Sequence, residues 1–420
     1  MVKIRPFRAV RPAEGYAGKV AALPYDVMTS EEAREMAGGN PYSFLHIDRA
    51  EIDLPPGADP YSPEAYARAR ANFERMAAEG VFAQDAAPRF YVYRLTMDGR
   101  PQTGLVGCAS IDDYEAGIIK KHELTRADKE EDRVRHVDAL DANTGPIFLA
   151  SGENARLSAL MDETAQAAPV YDFTAEDGVR HEAWLCGAAA NDEIKDIFAD
   201  MDALYIADGH HRCASAARVG KLRRAQNPGY TGEEEFNFFL AVVFPKDQLE
   251  ILGYNRAVKD LNGLPVAAFL EKLREKFEVA PCEKGGGPAQ PKEKHTFGLY
   301  VDGEWYVLRA RPGLADESDP VARLDVSLLQ DNVLAPILGI EDPRTDKRID
   351  FIGGIRGLSE LERRVNTDMA AAFALYPTTM DDLMGIADAG LIMPPKSTWF
   401  EPKLRSGLFV HKLGGARRKG

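Results

Sequence analysis

Apolar and polar positions along the chain fall into blocks of different period, and each block predicts an element. "SPEAYARARANFERMAAEG" (62–80) carries helical spacing behind Ser62 and Pro63 and ends on Gly80, which predicts a capped helix. "VAALPYDVMTSEEAREMAG" (20–38) reads as a strand or loop, then a helix capped by Thr29 or Ser30 with acids in its first turn. Two β-rich pairs, "RFYVYRLTMDGRPQTGLVGCASI" (89–111) and "FGLYVDGEWYVLRA" (297–310), turn at Asp98-Gly99 and Asp302-Gly303, a strong hairpin signal. "DALYIADG" and "NFFLAVVFP" are short continuous apolar runs that predict central strands, and residues 211–222 predict a helix. Residues 155–200 read as helix, strand, strand, helix. Hairpins mixed with crossovers predict an α+β, or mixed α/β, fold rather than a uniform parallel sheet.

Composition narrows the class. The 420 residues are 45% hydrophobic and 28% charged, ordinary for a globular chain of two or three domains. The formal charge is −14, which disfavours broad nucleic-acid binding. The four cysteines (Cys108, Cys186, Cys213, Cys282) form no CxxC pair, which argues against a zinc ribbon and a disulfide framework. No run has signal-peptide or membrane-spanning character, so a reducing cytoplasm is the expected compartment. "EKGGGPAQPKEK" (283–294) is the best candidate for a linker or long loop.

Chemistry concentrates in two places. "ALYIADGHHRCASAARVGK" (203–221) sets Asp-Gly-His-His-Arg between a buried strand and a helix start. The first N–H groups of a helix lack internal partners and carry partial positive charge, so an anion, most often phosphate, is the natural guest. Gly209 permits close approach and a positive φ, and Arg212 adds a planar fork of donors. Asp208 would orient an acceptor hydroxyl, hold Mg2+, or cap the helix; a capped tight turn with two incidental histidines is the bland reading. Cys213 reads as a small buried residue. In "KKHELTRADKEEDRVRH" (120–136), Thr125 and Asp128 read as a capping pair. Lys129, Arg133 and His136 share one helical face, while Asp128, Asp132 and Arg135 share a face of the solvated, salt-bridged kind. Glu123 in the loop is placed as a base, with His122 beside it as an orienting or phosphate-binding group; a helix N-terminal anion is its structural alternative. Asp26, Asn40-Pro41-Tyr42, Arg256, and Lys396, Ser397, Thr398 and Lys403 in a proline-rich loop are weaker candidates for substrate contact. No Walker loop or Gly-x-Ser-x-Gly, His-Glu-x-x-His, protein-kinase or Rossmann fingerprint is present.

"IADGHHR" resembles the phosphate-contacting turn of the ParB/sulfiredoxin superfamily. Together with "VAALPYDV", "NPYSFLHI", "KKHELTRADKEEDR" and "MPPKSTWFEPKLRSGLFVHKL", it resembles domain-of-unknown-function family 1015 from the N-terminus to near residue 412. The resemblance implies a ParB/sulfiredoxin-like nucleotide-binding core over residues 1–254, a C-terminal α/β portion over 255–412 packed on it, and a disordered tail at 413–420. It also implies an ATP- or ADP-dependent kinase of a small hydroxyl metabolite, free L-serine first, with Mg2+. Phosphates would lie on Gly209, His210, His211 and Arg212, helped by Lys129 or Arg133. Asp208, Glu123 and His122 would serve catalysis, and Asp208 would also hold the Mg2+. Asp26, Arg256, Lys396 and Ser397 would approach the substrate. A nucleotide-gated switch without metabolite kinase activity, and metal-dependent hydrolysis through His122, Glu123, His210 and His211, are the rival expectations. A small-molecule substrate and a nucleotide are the expected partners, with a homodimer as the candidate assembly; no membrane partner is expected.

Overall fold

The strand Phe238–Pro245 is buried at every position, as a continuous apolar run requires of a strand covered on both faces. It lies inside a nine-stranded mixed sheet. The order is Ile119–Lys120, Leu204–Asp208, Ile147–Ser151, Phe238–Pro245, Arg100–Ser110, Tyr91–Met97, Arg180–Leu185 and Tyr171–Thr174, with Ile4–Arg5 also paired to Arg100–Ser110. Two pairs are parallel, Leu204–Asp208 with Ile119–Lys120 and Phe238–Pro245 with Ile147–Ser151. The computed structural model describes residues 1–283 and 287–414, so part of the 283–294 loop and residues 415–420 of the expected tail lie outside the described residues. The mixed α/β class matches the expectation, and so do both Asp-Gly hairpins. Thr29 caps its helix with a full capping box, and Ser62 caps Pro63–Ala78.

The chain forms two compact units, one of residues 1–249 with the segment from Pro402 onward, the other of residues 250–401. In the first unit one core lies against the large sheet, with Leu157, Ile197, Phe198, Ala216 and Phe239 among its members. A second core gathers Phe44, Phe73, Met76 and Phe82 beneath the N-terminal helices. The second unit is built on a six-stranded, wholly antiparallel sheet in the order Phe277–Pro281, Glu304–Ala310, Thr296–Val301, Ala371–Leu375, Tyr254–Val258, Ile349–Gly353. Its core centres on Tyr300, Trp305, Ile352 and Leu361. Among the described residues no helix is long and apolar enough to cross a membrane.

The segment from Pro402 is part of the first unit's interior. Leu408, Phe409 and Val410 are buried, Val410 bridges Val10, and His411–Lys412 pairs with Ala142–Asn143. Leu413, at the start of the expected tail, is buried and donates its N–H to the Asp141 carbonyl. Gly407 adopts φ +88°, and a Cβ there would lie 2.5 Å from the Phe44 ring, so only glycine fits this crossing. Arg405, also buried, is held by Asp177 and donates from Nε to His181 Nε2 at 3.2 Å. That contact leaves the proton of a neutral imidazole on Nδ1, where the Tyr93 hydroxyl lies at 2.7 Å.

Burial, reinforced by the Arg405 charge, pulls the His181 pKa down to about 3. The native ring is therefore neutral while the unfolded ring protonates near its ordinary value, so this group withdraws stability as pH falls from about 6.5 towards 3. The full effect is on the order of 5 kcal/mol. His181→Gln should accordingly show a shallower fall of the urea midpoint between pH 6.5 and 4.5 than the parent chain. Equal slopes would reject this assignment.

Candidate functional site

Leu204–Asp208 ends at Asp208, and the helix His210–Gln226 begins two residues later. Gly209 between them sits at φ +94°, a left-handed conformation that turns the chain from strand to helix. Behind this turn Arg212 folds back. Its Nη2 donates to Asp208 Oδ2 at 2.7 Å and its Nη1 to the Pro146 carbonyl at 2.5 Å. A Cβ on residue 209 would meet the Arg212 Nε at 3.0 Å, so the glycine also makes room for the guanidinium. Burial opposes the Arg212 charge, yet Asp208, with Asp26, Tyr25 and Asp48 at longer range, holds its pKa above the ordinary value. The other Asp208 oxygen, Oδ1, lies 3.7 Å from Lys403 Nζ, and Lys403 is itself buried. Asp208 thus sits between two cations.

The loop before the helix Ala127–Leu140 brings His122 and Glu123 to the same place. The His122 and His210 rings meet edge to face with centroids 4.5 Å apart, and a Glu123 oxygen lies 3.8 Å from His210 Nδ1. Both nitrogens of His122 and the Nε2 of His210 are buried without a hydrogen-bond partner. Burial lowers the His122 pKa to about 4, and burial together with the neighbouring His122 holds His210 well below its ordinary value. One donor atom from each of His122, Glu123 and His210 lies within 4.8 Å of the others, so these three have the donor types and proximity to hold a metal ion.

Other candidates take different places. His211 Nε2 accepts the Arg126 N–H at 3.0 Å, tying the two helix starts together. The charged helix begins at Ala127 with Arg126 as N-cap and no side-chain cap; Thr125 instead donates to Glu130 at 3.1 Å, so the expected Thr125–Asp128 capping pair is not formed. Lys129 reaches the Tyr61 hydroxyl at 2.6 Å. Arg133 is buried, pairs with Asp132 at 2.8 Å and stacks 3.9 Å over Tyr25. Asp132, expected on the solvated face, is buried because it also accepts the Tyr66 hydroxyl at 2.8 Å. A small cavity of about 30 Å³ behind Arg212 has Tyr25, Asp48, Arg133, His136, Thr144 and Arg212 on its wall, room for a water molecule or two. Asp48 accepts the Thr144 hydroxyl at 2.8 Å.

Asp26 is exposed and near enough to raise both the Tyr25 and Arg212 pKa values. Asn40 is a loop former, its amide donating to Lys19 and its oxygen accepting from Tyr42 N–H. Arg256, Lys396 and Ser397 belong to the second unit and cluster there, Arg256 donating to the Lys396 carbonyl at 3.0 Å. Cys213 is fully buried and burial pushes its thiol well up, so it packs rather than reacts. The residues missed from sequence are Asp48, Tyr25 and Asp132. Lys403, singled out only as one member of a phosphate-compatible loop, reaches Asp208.

The fold and turn define a mixed α/β protein with a strand–glycine–helix junction at Asp208–His210. The chain belongs to the DUF1015 family, described as a protein of unknown function, whose model matches residues 4–327. No curated protein matches. Among solved structures, a free serine kinase in complex with AMP is 15% identical with a TM-score of 0.35, the match covering 71% of this chain and 90% of that one. A conserved hypothetical protein from Pyrococcus furiosus is 16% identical with a TM-score of 0.34, covering 72% and 93% respectively. C-terminally truncated SbnI from Staphylococcus aureus is 12% identical with a TM-score of 0.38, covering 73% and 86%.

The positive φ at residue 209 gives a direct check. Gly209→Ala should destabilise the first unit by about 1–2 kcal/mol, the ordinary cost of a left-handed non-glycine residue. The measurement is the urea midpoint. A value indistinguishable from the parent would show that the turn relaxes freely and does not position Arg212.

Proposed function

We propose that this chain transfers a phosphoryl group from ATP or ADP to the hydroxyl of a small metabolite, with free L-serine the first acceptor to try. The observation that carries the reading is the Asp208–Gly209–Arg212 turn: a left-handed glycine at the head of a long helix, with an arginine locked beside it. The first N–H groups of a helix have no acceptor within the helix and suit phosphate, and the sequence resemblance to a ParB/sulfiredoxin phosphate turn supports that use. Glu123 is a partly exposed carboxylate beside the buried, neutral His210. In this reading it accepts the acceptor's hydroxyl proton as that oxygen bonds to the terminal phosphorus, while the bond to the bridging oxygen breaks and the nucleotide leaves one phosphate shorter. His122 and His210 keep Glu123 in place without adding charge. Lys403 and Arg212 would stabilise developing negative charge.

Mg2+ does not fit Asp208 as a resident ligand. That ion takes several oxygen ligands, and both oxygens of this single carboxylate already face cations. No step here is routed through a protein-held magnesium ion.

The test is nucleotide turnover screened against amino acids and small alcohols, with the nucleotide supplied as its magnesium complex. One compound should stimulate product release. Arg212→Ala should abolish that stimulation, and Glu123→Gln should lower kcat by about 10²–10⁴-fold. Nucleotide binding with no stimulated turnover would favour the switch reading. Full turnover in Glu123→Gln would remove the base.

A second reading rests on the His122, Glu123 and His210 trio. Two buried imidazoles with unpartnered ring nitrogens beside a carboxylate suit a zinc-type ion, and such an ion would make this a metal-dependent hydrolase. Metal analysis of the purified protein separates the two readings. Under the hydrolase reading it carries about one equivalent, lost in His122→Gln; under the kinase reading the protein binds nucleotide with no such metal.

A further inference from the structure

Arg256 lies in the strand Tyr254–Val258 of the second unit and is 3% exposed. Its terminal nitrogens donate to the carbonyls of Tyr254, Pro395 (3.3 Å) and Lys396 (3.0 Å), and its guanidinium lies 5.0 Å from the centre of the Phe351 ring. Among the described residues no carboxylate pairs with it. Burial without a counter-charge pulls its pKa down to about 10. Carbonyl oxygens accept from three of its five N–H donors but leave a desolvated positive charge uncompensated, a costly arrangement unless an anion visits.

Arg256 lines a cavity of about 280 Å³ together with Gln330, Leu334, Glu341, Phe351 and Pro395. Gln330 opens a π-helical turn, Gln330–Leu334, an irregularity that recurs at binding sites. Its amide nitrogen donates to the carbonyls of Ile340 (2.8 Å) and Glu341 (3.3 Å), while its Oε1 is buried with no hydrogen-bond partner. The Glu341 side chain is exposed. Arg344, on the same wall, is already neutralised by Asp342 at 2.9 Å. The cavity therefore offers one uncompensated cation, one orphaned acceptor and one carboxylate, at the small end of pocket sizes.

We propose that this cavity binds a small α-amino acid, its carboxylate on Arg256 and its ammonium between Gln330 Oε1 and Glu341. The site does not rest on the phosphotransfer reading, since all its residues lie in the second unit. The full chain, without nucleotide, is titrated calorimetrically with each of the twenty amino acids. At least one should bind saturably at one equivalent, and its deamino carboxylic acid at least tenfold more weakly. Glu341→Lys should weaken binding tenfold or more at an unchanged melting temperature, and Arg256→Met should abolish it. If Arg256→Met fails to fold, Glu341→Lys still decides. Absence of binding by all twenty, or equal affinity for the deamino acid, overturns the proposal. So does binding that survives Glu341→Lys but is lost in Glu123→Gln, which would put the ligand in the first unit.

Discussion

The pairing of a largely covered Arg212 with a partly exposed Asp208 is the constraint on which the first unit's strand-to-helix turn depends. A guanidinium withdrawn from water needs a carboxylate, and this one is supplied four residues earlier, across a left-handed glycine. Because the carboxylate ends a strand and the guanidinium starts a helix, the pair fixes the angle between them. The Pro146 carbonyl accepts a second Arg212 donor just ahead of the neighbouring strand Ile147–Ser151, tying that strand into the same joint. Lys403 arrives from the C-terminal segment to share Asp208. Three separate stretches of sequence are thereby registered to one carboxylate.

The first unit contains several neutral histidines, of which His122 and His210 lie beside this joint. Burial depresses the pKa values of His122, His136, His181, His210 and His411, all of which belong to the first unit. At neutral pH they contribute shape and hydrogen-bonding capacity, not charge. The contrast is His46, whose hydrogen bond to Asp53 raises it. Net charge at the turn therefore comes from Arg212, Lys403, Asp208 and Glu123. A polyanion approaching the helix start meets two cations already balanced in part by Asp208, which favours recognition by backbone N–H groups over bulk attraction.

Elements governed by local rules were legible in the sequence. The Asp-Gly hairpins, the Thr29 and Ser62 caps, and the apolar strand at 238–245 each depend on a few adjacent residues, and the structure keeps them. The 203–221 motif could be read as a turn because Asp, Gly and Arg occupy fixed offsets in one segment. What escaped depends on contacts far apart in the chain. Asp132 looked solvated because helical spacing shows which face a residue occupies, not what covers that face; Tyr66, 66 positions away, covers it. Asp48 meets Thr144 across 96 positions, and Lys403 meets Asp208 across nearly half the chain. His211, adjacent to His210 in sequence, is turned by one residue's rotation around the helix, and its ring accepts the Arg126 N–H.

Stability alone gives little reason for so much buried charge behind the turn. Arg133 with Asp132 and Asp48 with Thr144 and His136 are desolvated, Arg212 with Asp208 only in part, and a buried ion pair commonly adds less than well-packed apolar side chains of the same volume. Such a network has another property: each member has few geometries that satisfy it, so it resists repacking more strongly than an apolar core does. Tyr25 illustrates the point. Its ring carries the Arg133 guanidinium at 3.9 Å, while the next residue, Asp26, stays exposed within electrostatic reach of Arg212. The ring therefore fixes the backbone from which Asp26 projects. An arrangement of this kind makes physical sense where an arginine and the acids around it must be held within a fraction of an ångström, which is the demand a transferring phosphoryl group places on its site.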